Sequence, residues 1–190
     1  MYYLKFIILL FSLTIISCDG RGKMYKSNQE ILKEHQLYNE FSEHISYIPA
    51  SYLETTTDTI LSNGYKIKMT SYTDMNKSFL NAYTKDNIQY KNYYRNINTQ
   101  ISIIKNNQEI LSGLINKDTM IASDKSLEKL IVNKIIQGVW VNEYASLVKN
   151  NVIISVLLFD PETNEKFNYS LEFNAQGKFY ITDELNQKYS

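Results

Sequence analysis

The chain of 190 residues has one cysteine, two prolines, six glycines and two histidines, and its 20 Lys and Arg are matched by 20 Asp and Glu. Each shortage removes a class of function. Without a basic excess there is no field of the kind that draws a protein onto a phosphate backbone, so nucleic acid is not an expected partner. A single cysteine allows no disulfide within the chain, and the fold must rest on its apolar core. The sequence contains no G-x-x-x-x-G-K-[ST], G-x-G-x-x-G or G-x-S-x-G and no acidic loop of calcium-binding spacing. Phosphate-loop, dinucleotide, nucleophile-elbow and EF-hand chemistry therefore have no motif, and no cofactor is expected. The histidines, His35 and His44, are nine positions apart, which on one helix turns them about 180° from each other. With no thiol to join them, no metal site is expected.

What is present begins with an address. Met1 to Lys5 carries one cation, and Phe6 to Ile16 (FIILLFSLTII) is an uncharged run of eleven residues. A spanning helix needs roughly 20 apolar residues, whereas the core of a signal peptide needs about 7 to 15. Ile15-Ile16-Ser17-Cys18 follows, with a branched apolar residue three before the cysteine and a small residue just before it. This resembles the lipobox of bacterial lipoproteins. The resemblance implies that residues 1–17 are a signal peptide and that Cys18 becomes a lipidated N-terminus, with diacylglyceryl on its sulfur and an acyl chain on its amine. Each buried CH2 contributes about 0.8 kcal/mol, so several chains hold a protein durably on a bilayer. The alternatives are secretion with a free cysteine left over, or an uncleaved anchor. Residues 18–27, with Gly20 and Gly22 among small or charged neighbours, read as a tether behind the lipid. The expected location is the cell membrane or outer membrane, facing the periplasm or the surface, with the membrane a partner through the lipid on Cys18.

With 44% apolar residues, 16 Tyr and 8 Phe, the remaining chain has enough apolar surface to fold, and residues 28–190 read as one domain. Ser27 and Glu30 fit a capping box, and Ile31, Leu32, His35, Tyr38, Phe41 and Ile45 follow at helical spacing up to Pro49. That pattern predicts a helix over 28–46. Asn63-Gly64 signals a turn, after which Tyr65, Ile67 and Met69 alternate with polar residues as in a half-buried strand. Between Tyr90 and Lys105, Ile97, Thr99, Ile101 and Ile103 share one face, and Asn106-Asn107 turns the chain into Ile110 to Ile115. Ser123-Asp124 predicts the cap of a second helix bearing Leu127, Leu130, Ile131 and Ile135 and ending at Gly138. Val139 to Tyr144 reads as a short strand carrying Trp140, and the apolar run Val152 to Phe159 as a strand covered on both sides. Phe167 to Phe173 and Lys178 to Thr182 complete an antiparallel meander. Together these predict an α+β domain: a mostly antiparallel sheet of about seven strands with two packed helices.

The lipobox, the irregular lead, Asp58-Thr59-Ile60-Leu61, Tyr94-Arg95, the strand through Ile101 and the Asn107-Gln108-Glu109-Ile110 turn also occur together in a wider pattern. Over about residues 55–185 the chain resembles a family of small lipoproteins of unknown function from Bacteroides-like bacteria, typically one β-rich domain behind a lipobox. The resemblance implies an envelope location and brings no catalytic residue.

Chemistry without histidine or thiol reduces to carboxylates and rings. Asp58, Asp74, Asp118, Asp124 and Asp160 could supply the acid pair of a glycosidase, although each lies beside turn or cap residues where Asp has a local backbone role. The aromatic middle, Phe79, Tyr83 and above all Tyr90, Tyr93 and Tyr94, is the candidate ligand platform, on which sugar rings could stack; its bland reading is sheet core and rim. Trp140 reads as a packing anchor. The expectation is a non-enzymatic binding or scaffolding module whose partner is an envelope protein or a glycan. The alternatives are an envelope carbohydrate-binding protein or a carboxylate-dependent hydrolase.

Overall fold

The computed structural model describes residues 25–38, 43–86, 88–174 and 178–183; Cys18 and the expected signal peptide lie outside the described residues. The chain divides into two compact units, residues 1–44 with 84–89, and residues 45–83 with 90–190.

In the first unit the sequence builds helix α1 (Asn28–Glu34). The capping box forms as expected: the Ser27 side chain accepts from the Glu30 amide, and the Glu30 carboxylate accepts from the Ser27 amide at 2.7 Å. The Ser27 amide foremost, and then the Ser27 hydroxyl, which donates to the same carboxylate at 3.0 Å, hold the Glu30 carboxyl below its ordinary range. The helix then stops at His35, and Gln36 takes a left-handed φ of 58°. The predicted helix over 28–46 is therefore corrected to one short helix followed by strand β1 (Glu43–Ile48), with 39–42 outside the described residues. Spacings of three and four among apolar residues fit a helix, but His44 to Ile48 also alternates, and tertiary strand pairing decided between the two periods. His35 and His44 consequently share no helix.

The second unit, which includes β1 from Ile45 onward, carries two antiparallel sheets. Strands β2 (Glu54–Ile60), β3 (Tyr65–Lys85), β4 (Ile88–Lys105) and β5 (Gln108–Ile115) join β1 in a five-stranded sheet of order β1-β4-β3-β2, with β5 also paired to β4. Gly64 at φ 89° makes the turn into β3, where only a residue without Cβ is unstrained. Asn106 and Asn107, at φ 52° and 59°, form the tight β4–β5 turn that their sequence predicts. Strands β6 (Ile135–Val141), β7 (Val152–Phe159), β8 (Lys166–Phe173) and β9 (Phe179–Asp183) form the second sheet, each paired to the next.

One core cluster draws on both sheets. Tyr65, Ile67 and Met69 of β3 and Ile101 and Ile103 of β4 are buried in it with Val152, Ile154, Val156 and Leu158 of β7. On its opposite face β7 also buries Ile153, Ser155 and Phe159, so it is covered on both sides, as its unbroken apolar run predicts. Helix α4 (Glu143–Lys149) is tied to that face, the Ser146 hydroxyl accepting from the Ile153 amide at 2.8 Å.

The architecture is α+β, with nine strands and four α-helices among the described residues against the expected seven and two. The helical count differs around Ser123. That residue ends helix α2 (Lys117–Ser123), whose cap is Asn116, while Asp124 caps a 3-10 turn (Lys125–Leu127) that leads into helix α3 (Glu128–Ile131). Leu127 and Ile131 are buried as predicted, but Leu130 is 53% exposed and Ile135 already belongs to β6. Gly138 lies at a register shift within β6 and ends no helix. Trp140 lies over it and is 43% exposed, so it is not the enclosed packing anchor the sequence suggests.

Candidate ligand groove

A polar groove of about 520 Å3 lies over the middle of the β3–β4 pair, beside the start of α2. Its position follows from the phase of two strands. The Ser71 and Thr99 hydroxyls share a hydrogen bond of 2.8 Å, and Thr99, Ile101 and Ile103 are buried together. The two-residue period therefore sets Asn96, Asn98 and Tyr72 on the other face. Thr73 fixes the neighbouring segment: its hydroxyl accepts from the Leu53 amide at 3.2 Å and its amide donates to the Leu53 carbonyl at 3.0 Å. That brings Tyr52, whose hydroxyl donates to Glu54, to one wall of the groove.

Past Thr73 the strand stops alternating. Oδ1 of Asp74 accepts from the amides of Asn76 at 2.9 Å and Lys77 at 3.2 Å, a side-chain turn set inside β3. Opposite it stand Asn116 and Lys117. Oδ1 of Asn116 caps α2 by accepting from the Thr119 amide at 2.8 Å. Oδ1 of Asn96 accepts from the Ile136 amide at 3.0 Å, joining the groove to the first strand of the second sheet. Both carboxamides are thus oriented through their oxygens, and their NH2 groups have no partner among the described residues. Asn98, half-buried between them in sequence phase, has no side-chain partner among the described residues at either end.

The charges of the groove are balanced within it. Nζ of Lys117 donates to the carbonyls of Val132 at 2.9 Å and Lys134 at 3.0 Å, and burial, ahead of the repulsion from Lys77, lowers its pKa from the usual lysine value. Lys77 faces Asp118 at 3.6 Å, both side chains exposed. A second cavity of about 300 Å3 shares Lys77, Asn96, Lys117 and Asp118 with the first and is lined further by Phe79, Ile121 and Val132. The groove therefore has an amide-lined part and an apolar end.

The predicted tyrosine platform divides. Tyr90 stacks on Tyr83 with ring centres 5.1 Å apart, Tyr94 packs against Phe159 at 5.8 Å, and Tyr93 stacks on Tyr47 at 4.9 Å. The Arg95 guanidinium lies 4.6 Å over the same Tyr47 ring and donates to the carbonyls of Pro49 and Ala50. Tyr93 and Arg95 thus share one face, and Tyr94, one residue between them, points to the other. Tyr90, Tyr93 and Tyr94 are half-buried and do not form one surface.

Three of the five aspartates have the local backbone role their neighbours suggest. Asp74 does so in the groove, Asp124 accepts from the Ser126 amide at 2.9 Å, and Asp160 accepts from Glu162 at 2.9 Å and Thr163 at 3.3 Å. Burial works to raise the Asp160 carboxyl, but the two amides and the Lys134 ammonium, 3.6 Å away, outweigh it and hold the group below its ordinary value. Asp58 stands opposite Lys68 in the β2–β3 register. Asp74 and Asp118 both line the groove.

Sequence reasoning missed Asn96, Asn98, Asn116 and Lys117. The signal available for Asn96 and Asn98 is phase, since they alternate with Ile97, Thr99 and Ile101 and so fall on the opposite face. No protein-family model matches the chain, and no curated protein matches it. No helix among the described residues is long and apolar enough to cross a membrane.

Proposed function

We propose that the protein is a lipid-anchored binding module of a bacterial envelope, held at the membrane through Cys18, with the β3–β4 groove as its ligand site. The observation that carries the reading is the pair of oriented asparagines, Asn96 and Asn116, in a cavity of about 520 Å3, inside the range of roughly 300 to 1,000 Å3 that small-molecule sites occupy. Amide NH2 groups that no protein group takes, set in a concave place, can exchange water for the acceptors of a ligand. The anchor rests on the sequence Ile15-Ile16-Ser17-Cys18 and on its likeness to small lipoproteins of Bacteroides-like bacteria. Confinement to a surface raises the effective concentration of such a module for partners on the same surface.

A second reading, a carboxylate-dependent hydrolase, is favoured by the presence of Asp74 and Asp118 in one groove. Against it, one oxygen of Asp74 is already engaged by two backbone amides and Asp118 faces Lys77.

The test has two parts. Cells producing the full chain or its Cys18→Ala variant are labelled with an alkyne fatty acid and fractionated; the native chain takes the label and sediments with membranes, and the variant does neither. A variant that stays with the bilayer overturns the anchor. The detergent-solubilised chain is then screened against a fragment library by ligand-observed NMR, with Asn98→Ala as comparison. Hits that the variant loses support the groove, and hits indifferent to it remove the groove from the reading.

A further inference from the structure

The groove's chemistry narrows the class of ligand, and the class so narrowed rests on the reading of the groove as a binding site. Its two lysines and two aspartates cancel in formal charge, and each is engaged: Lys117 donates to two carbonyls, Lys77 faces Asp118, and Asp74 accepts from two amides. A lining of zero net formal charge offers a charged ligand no net attraction to offset its desolvation, which points to a neutral one. The NH2 groups of Asn96 and Asn116, whose oxygens are engaged by backbone amides, are fixed donors and call for acceptor oxygens. Asn98 can both donate and accept, as a hydroxyl also does. Next to the shared residue Asn96, the apolar end formed by Phe79, Ile121 and Val132 has room for a small apolar group. Tyr52 and Tyr72 supply rigid amphipathic rings to the lining.

A neutral peptide could also offer carbonyls and methyl groups, but peptides dock on sheets mainly by extending a free strand edge. Here the β2 side of β3 is paired as far as Tyr72, the Asn76 and Lys77 amides beyond it are taken by Asp74, and the donors come from side chains on the sheet face. We propose that the groove binds a neutral oligosaccharide carrying N-acetylated amino sugars. A sugar ring lies against Tyr52 and Tyr72, an acetamido oxygen accepts from the asparagine NH2 groups, and the acetyl methyl enters the apolar end.

The experiment titrates the detergent-solubilised full chain, by calorimetry and by NMR of the asparagine side-chain resonances, with three neutral probes. These are triacetylchitotriose, cellotriose, which lacks acetamido groups, and acetyl-trialanine amide. Triacetylchitotriose is expected to bind at least about tenfold more tightly than either other probe, the worth of one or two well-placed hydrogen bonds. Asn98→Ala and Tyr72→Ala, each checked for an unchanged circular dichroism spectrum, are expected to weaken it by about tenfold. Equal or tighter binding of cellotriose that Asn98→Ala still weakens overturns the acetamido assignment and leaves the groove in place. Equal or tighter binding of the peptide with the same sensitivity overturns the saccharide class, again leaving the groove. Absence of binding by triacetylchitotriose overturns the ligand class, while the fragment screen judges the groove separately. Binding of triacetylchitotriose that neither variant changes overturns both.

Discussion

From Tyr65 to Met69, β3 alternates buried and exposed residues, and Thr73 is buried again, above the core that β4 closes with Thr99, Ile101 and Ile103; beyond Asp74 the same two strands are held by other means. There Tyr83 stacks on Tyr90, Asn81 donates to the Pro161 carbonyl at 2.6 Å, Tyr94 meets Phe159, and Asn96 accepts from Ile136. The first stretch is stabilised by removing apolar surface from water, a collective effect insensitive to any one direction in space. The second depends on individually aimed contacts, each modest in free energy and each fixing a geometry. A groove can be built over the second kind of strand because its polar side chains are not needed to fill a core.

The comparison can be broken most forcefully in the core. Ile154→Ala, at a side chain with no exposure, is expected to lose about 2 to 5 kcal/mol, read as a fall in the urea midpoint at constant slope. A loss under 1 kcal/mol would mean that the core is not where the stability resides. Asn96→Ala comes next: it leaves the Ile136 amide without its acceptor and is expected to cost about 1 to 3 kcal/mol, although the residue sits on the groove and buries no apolar side chain. A neutral result would show water taking over that amide, and the aimed contacts would lose their structural meaning. The Tyr83–Tyr90 stack sharpens the contrast further, with a double-mutant cycle expected to yield a coupling of about 0.5 to 1.5 kcal/mol. Zero coupling would reduce the two rings to neighbours by coincidence.

The smallest effect at neutral pH belongs to Asp160, in the turn that receives Asn81. Its carboxyl is held below the ordinary value in the folded chain, so folding favours the ionised form. That contribution is complete above the unfolded carboxyl pKa of about 3.9 and is lost as pH falls through the lower folded value. Asp160→Asn keeps an oxygen for the Glu162 and Thr163 amides but removes the ionisation. Its unfolding free energy should therefore fall less than the native chain's between about pH 5 and pH 2, and parallel acid profiles for the two would remove this account.

How far each segment was legible in the sequence depends on which interaction decided it. Strands β7 and β8, the Gly64 turn, the Asn106-Asn107 turn and the Ser27–Glu30 box were legible because burial period and local backbone chemistry act within a few residues. Strand β2 was not, since Glu-Thr-Thr-Thr-Asp-Thr-Ile lies exposed along nearly all its length and shows no apolar alternation; only its pairing to β3 makes it a strand. The helix expected over 28–46 failed where pairing across the sheet outweighed a helical spacing. Helix α4 was missed because Tyr144, Leu147 and Val148 remain exposed, and its tie to the sheet runs through Ser146, a residue with no apolar signal. At the groove, asparagine reads in sequence as a turn or cap residue, and at Asn116 that reading is correct as far as it goes. That it lines one cavity with Asn96 and Asn98 depends on register, which the sequence does not spell out. The separation of Tyr93 from Tyr94 was legible throughout, because neighbours in a strand always face opposite ways.

The two bonds from Lys117 to the carbonyls of Val132 and Lys134, with the bond from the Ile136 amide to Asn96, run from the groove into the entry of β6. Exchange of the Ile136 amide with deuterium requires that this junction open, and a ligand that holds Asn96 and Lys117 in place raises the free energy of opening by its own binding term. That one amide is thus a built-in reporter: its slowing in heavy water would register occupancy of the groove even for a molecule too weak or too scarce to be followed directly.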